Sequence, residues 1–160
     1  MQTYFTQHSK ENLVKFRSEF IKFLVHSKKC NYDVVCGIIE AYDYFINNPK
    51  YYDGATLVTD LYDWKTIEIG ALVHDYIYLN FNIKSNWKYK NLADKLYKRT
   101  LIYFDAENNP RKTKLIANER KLGLLISTPF LWIFNKLKNG KMTDKQKQNF
   151  IKYYNKFNSL

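Results

Sequence analysis

The chain has 160 residues, a formal net charge of +11, and 46% hydrophobic and 18% aromatic residues. That apolar content excludes a disordered chain, and the length suits one domain with a sizeable core. Two cysteines exclude a disulfide framework, and no stretch reaches the roughly 18 apolar residues of a membrane-spanning helix.

Residues 1–8 read as a lead-in, without the basic-then-apolar pattern of a leader. Ser9 is placed to cap a helix over 10–27, and Glu11 sits where the helix dipole favours an acid. Leu13, Phe16, Phe20 and Phe23 or Leu24 form its apolar stripe. Lys28, Lys29 and Asn31 break the pattern. A second helix is predicted over 33–46, with Val35, Ile38 or Ile39, Tyr42, and Phe45 or Ile46 inward. Asn47, Asn48 and Pro49 stop it. Cys30 and Cys36 flank its start and read as small buried hydrophobes. Gly54 then permits a turn and 55–59 is β-prone, which predicts a short extended segment near 51–62.

Ile67, Ala71, His74 and Tyr78 recur at steps of four, three and four, so a central helix is predicted over 64–80. Asp60 or Asp63 can cap it. His74 falls on its buried face, and Asp75 is rotated by about 100° from it. A partner helix is predicted over 87–104, where Asp94 shares a face with Tyr97 and Leu101. The polar link at 82–86, with Asn86 as a cap, is short enough to make the two helices antiparallel neighbours. His74 and Asp94 are therefore expected within hydrogen-bond reach or one water apart, as a base and its orienter.

A turn at 105–110, a helix over 111–127, and a short helix over 130–137 beyond Pro129 follow. Asn139 and Gly140 make a turn. Thr143 with Gln146 forms a capping box that opens a last helix to about residue 157, docked by Phe150, Tyr154 and Phe157. His8, His26 and His74 lie far apart, and no H-E-x-x-H, P-loop, G-x-G-x-x-G or G-x-S-x-G is present. The expected fold is all-α: one domain over 1–160, with six or seven helices around the antiparallel His–Asp pair. An N-terminal helical hairpin spans 1–49, a core spans 50–104, and basic helices span 105–160.

Three elements carry a resemblance: Thr59-Asp60-Leu61, then His74-Asp75-Tyr76-Ile77-Tyr78, then Ala93-Asp94-Lys95-Leu96-Tyr97. Over about residues 51–104 they resemble a family of short proteins of tailed bacteriophages, with T-D-L, H-D-x-x-Y and A-D-x-x-F in that order. The helix pair is also similar to the secreted and parvoviral phospholipase A(2) family, which has H-D-x-x-Y on one helix and an Asp on its antiparallel partner. Trp87 ahead of Ala93-Asp94 is similar to the parvoviral form.

The phospholipase resemblance implies roles. His74 takes a proton from the attacking water, Asp94 holds the other imidazole nitrogen, and Tyr78 braces Asp94. Asp75 binds a calcium ion that polarises the ester carbonyl. Asp60, from the Thr-Asp-Leu element of the phage family, is a second candidate for the metal or a plain N-cap. The implied function is a lipid esterase acting in genome delivery or lysis. The alternative is a non-catalytic head–tail or tail connector that keeps the helix pair as scaffold. The single glycine in the candidate loop at 51–56, where the phospholipases have Gly-x-Gly, favours that alternative.

Charge divides the chain. Residues 1–83 hold eight basic and ten acidic side chains, net −2, while 84–160 hold eighteen and five, net +13. Lys145, Lys147, Lys152 and Lys156, with Lys88 and Lys90, are expected to face outward toward an anionic partner. A neighbouring virion subunit is the first choice, lipid headgroups the second and nucleic acid the third. The expected setting is the host cytoplasm when the protein is made, and then the virion.

Overall fold

The computed structural model describes residues 3–52, 69–105, 118 and 140–160. Among these, every regular element is helical, so the protein is all-α as its periodicity predicts. Among the described residues the α-helices with defined bounds are α1 (Tyr4–Gln7), α2 (Lys10–Lys22), α3 (Tyr32–Asn47), α4 (Ile69–Asn80), α5 (Trp87–Asp105) and α6 (Asp144–Asn155). Residues 53–68, 106–117 and 119–139 lie outside the described residues. With them lie most of the expected extended segment, the start of the central helix, and the helices expected over 111–127 and 130–137.

The first difference from the sequence reading is at the N-terminus. The lead-in contains a helical turn, α1, closed by reciprocal Thr3–Thr6 bonds. Tyr4 and Phe5 are only 2% and 1% exposed, so this turn belongs to the core. Phe5 packs edge-on against Tyr42 and Tyr52, with ring centroids 5.3 and 5.0 Å apart. One turn is too short to show a period, which is why patterning missed it.

Helix α2 starts as expected: Ser9 Oγ accepts from the Asn12 N–H at 3.3 Å. It continues through a π-helical turn at Phe23–Ser27, so the helix predicted over 10–27 is realised with a wider last turn. Leu13, Phe20 and Leu24 are buried on one stripe. Asn31 caps α3 by accepting from the Val34 N–H at 2.9 Å. Val34, Ile38, Ile39, Tyr42, Phe45 and Ile46 form its buried face, with Val34 rather than Val35 fully enclosed. The Tyr42 hydroxyl ties the two helices together by donating to the Leu13 carbonyl at 3.0 Å.

Helices α4 and α5 form the hairpin that the short link predicts. Asn82 adopts a left-handed backbone at φ 52°, which asparagine tolerates, and a 3-10 turn at Ile83–Ser85 completes the reversal. Asn86 caps α5 by accepting from the Lys88 N–H at 3.1 Å. Gly70 lets the helices close: a Cβ there would lie 3.1 Å from the Tyr97 ring and 3.2 Å from Thr100 Oγ1.

Thr143 and Gln146 form the predicted capping box of α6. Phe150 and Phe157 are buried as expected, joined by Tyr153, which donates to the Gly37 carbonyl at 2.7 Å. Gly37 on α3 makes room for this segment, since a Cβ there would stand 2.7 Å from the Phe157 ring. Among the described residues, no helix is long and apolar enough to cross a membrane.

Candidate functional site

The antiparallel α4–α5 pair sets His74 and Tyr78, one turn apart on α4, against Asp94 on α5. Asp94 is 0% exposed. An ionised carboxylate so buried costs several kcal/mol unless donors surround it. The Tyr78 hydroxyl donates to Asp94 Oδ1 at 2.8 Å, and His74 Nε2 lies 3.4 Å from the same oxygen. With its proton on Nε2, the imidazole is a second donor. This is the juxtaposition expected from the helical stripes.

The third partner of Asp94 was not expected there. The sequence puts Lys90 with the outward-facing lysines, but it is 6% exposed and its ammonium donates to Asp94 Oδ2. The reason is helical spacing: Lys90 stands four residues before Asp94 on one face of α5. Its Nζ lies 5.9 Å from the Trp87 ring centroid. The signal was the i,i+4 Lys–Asp pair. Charge alone gave no hint, because a lysine next to a buried carboxylate looks like any other lysine.

Burial works to raise the Asp94 pKa, but His74, Lys90 and Tyr78 outweigh it and leave the carboxyl below its ordinary value. Burial likewise works to lower the His74 pKa, but Asp75 and Asp94 outweigh it and raise the imidazole above its ordinary 6.5. Tyr78 is pushed up by burial first and then by the Asp94 charge, so it stays a donor.

The surroundings of His74 complete the geometry. Its Nδ1 lies 3.6 Å from Asp75 Oδ1 on the side away from Asp94, and its side chain is 12% exposed. Tyr78 and Tyr97 pack against the ring, with centroids 4.1 and 5.1 Å away. Lys84, from the link, holds its Nζ 5.3 Å from the Tyr78 ring centroid.

Asp60 lies outside the described residues, as does the loop beyond Tyr52. Calcium takes six to eight oxygens, and Asp75 supplies one carboxylate. Among the described residues, no group of three or more His, Cys, Asp or Glu is placed to hold a metal ion. Cys30 and Cys36 are free thiols, each half-buried. Lys88, Lys145 and Lys152 are exposed. Lys147 pairs with Asp144 at 2.7 Å on its own helix. Lys156 pairs with Glu40 of α3, whose other oxygen accepts from the Tyr76 hydroxyl at 2.7 Å. No known protein family, curated protein or solved structure matches the chain.

Proposed function

We propose that the protein is a phospholipase-like hydrolase of lipid esters, related to the tailed-bacteriophage proteins that its motifs resemble. The observation that carries this reading is the shared oxygen: His74 and Tyr78 both address Asp94 Oδ1, leaving imidazole Nδ1 on the opposite side. In this reading a water adds to the ester carbonyl as its proton passes to His74 Nδ1. Asp94 stays ionised and stabilises the imidazolium. Collapse of the tetrahedral intermediate breaks the ester C–O bond, and the departing alkoxide recovers the proton from Nδ1.

Because the base must be neutral, the rate rises with pH as His74 deprotonates, above its ordinary value of 6.5. The test is fatty-acid release from mixed phospholipid vesicles, with and without added calcium. Release that disappears in His74→Ala and Asp94→Asn supports the reading. Absence of release by the parent protein under both conditions defeats it.

A second reading rests on a different observation. Lys90 holds the other oxygen of Asp94, and aromatic rings pack against His74, so the cluster also suits a helix clamp. The protein is then a non-catalytic virion component. Its presence in purified particles, with no hydrolysis by the parent and a lower melting temperature in His74→Ala, distinguishes this reading.

A further inference from the structure

We propose that Lys90 is a positioning residue of the His74–Asp94 pair, fixing the Asp94 carboxylate in one orientation and keeping it ionised. The catalytic consequence rests on the hydrolase reading; the effect on Asp94 does not.

The argument begins with the two carboxylate oxygens. Oδ2 is held by the Lys90 ammonium, and Oδ1 receives Tyr78 and faces His74. Both Lys90 and Asp94 belong to one helix and are buried, so their relation is set by the helical repeat rather than by a loop. A carboxylate held at both oxygens cannot rotate away from the imidazole without breaking a charged hydrogen bond.

Charge gives the second half of the argument. The groups that face Asp94 from α4 are Tyr78 and His74, with Asp75 beyond the imidazole. From α5 come Lys90 and, against the His74 ring, Tyr97. Lys84 reaches over Tyr78 from the link, while Glu40 of α3 and Lys156 near the end of α6 pair with each other at Tyr76. In acid the protonated His74 also supports the Asp94 charge, but once His74 is neutral, as a base must be, losing Lys90 would leave a phenol and an uncharged ring against a charge at 0% exposure. Desolvation would then favour the protonated acid, which cannot stabilise an imidazolium. The Lys90 cation opposes that protonation.

The experiment compares the parent with Lys90→Met, which keeps the aliphatic stem, and Lys90→Arg, which keeps the charge. The Asp94 carboxyl is followed by carbon-13 NMR across the acid range, and folding is checked by melting curves. In folded Lys90→Met the Asp94 midpoint should rise by about one pH unit or more, the scale of a lost neighbouring charge. Lys90→Arg should hold it near the parent value.

In vesicle hydrolysis, kcat for Lys90→Met should fall by at least about tenfold, part of the 10²–10⁴ that a positioned base contributes. KM should stay constant, and Lys90→Arg should recover kcat. An unchanged Asp94 midpoint in folded Lys90→Met overturns the proposal. Should Lys90→Met fail to fold, a folded Lys90→Arg whose Asp94 titrates at or above the ordinary value overturns it instead. A shifted midpoint in a parent that hydrolyses nothing supports the role of Lys90 and defeats only the hydrolase reading.

Discussion

The junction of α1, α2 and α3 and the α4–α5 hairpin both bury polar groups, but in opposite ways. At the first, Tyr42 donates to the Leu13 carbonyl and shares a 3.0 Å bond with the Tyr4 hydroxyl. Every member is neutral, and burial pushes the Tyr42 pKa up to about 12, so the set keeps one charge state across the physiological range. In the hairpin, Asp94 is a buried carboxylate surrounded by Lys90, His74 and Tyr78. A neutral junction costs little to desolvate and holds helices at any ordinary pH. A charged cluster costs more, is worth having only when complete, and can respond to protons.

The largest effect expected from breaking this contrast is at Asp94. Asp94→Ala removes the buried carboxylate that Lys90, His74 and Tyr78 share and should cost about 3–5 kcal/mol in urea denaturation. The pH dependence sharpens the point. Asp94 has a lowered native pKa, so its contribution is present above its ordinary 3.8 and is lost as pH falls through the native value. His74 has a raised native pKa, so its contribution is present below its ordinary 6.5 and is lost as pH rises through the native value. The cluster therefore stabilises most between those limits, and Asp94→Ala should flatten that dome.

A smaller effect is expected at the neutral junction. Tyr42→Phe deprives the Leu13 carbonyl and the Tyr4 hydroxyl of a partner, at about 1–3 kcal/mol. Stability should fall by the same amount at every pH from mildly acid to mildly alkaline, because no group in that set titrates there. A Tyr42→Phe loss that varies across this range as steeply as the loss in Asp94→Ala would erase the distinction between the two regions.

The smallest effect concerns the surface. Lys145→Glu with Lys152→Glu replaces exposed side chains on α6 and should change stability by less than about 0.5 kcal/mol per site. If this face meets an anionic partner, incorporation into particles or binding to anionic vesicles should weaken with the substitutions and with salt. Unchanged incorporation, lipid binding and DNA binding would make α6 a solvated face.

Much of this molecule is local, and the local part was legible. Ser9, Asn86 and the Thr143–Gln146 box cap helices because a side-chain oxygen needs to reach only two or three residues along its own chain. The His74–Asp94 meeting followed from two helical periods and one short link. It needed no knowledge of the rest of the fold.

What patterning missed depends on neighbours distant in sequence. Tyr4 and Phe5 became core because α3 and Tyr52 offer them aromatic surface, and a single turn carries no period of its own. Tyr153 turned inward with Phe150 and Phe157 because Gly37 of α3 leaves room for Phe157 and brings its carbonyl within reach of the hydroxyl. Lys90 is the sharpest case. Its residue type and its basic surroundings both pointed to solvent, and its position four residues before Asp94 was compatible with either side. Only the closing of α4 onto α5 buried Asp94, and a buried carboxylate then made the inward position of the lysine the one of lower free energy.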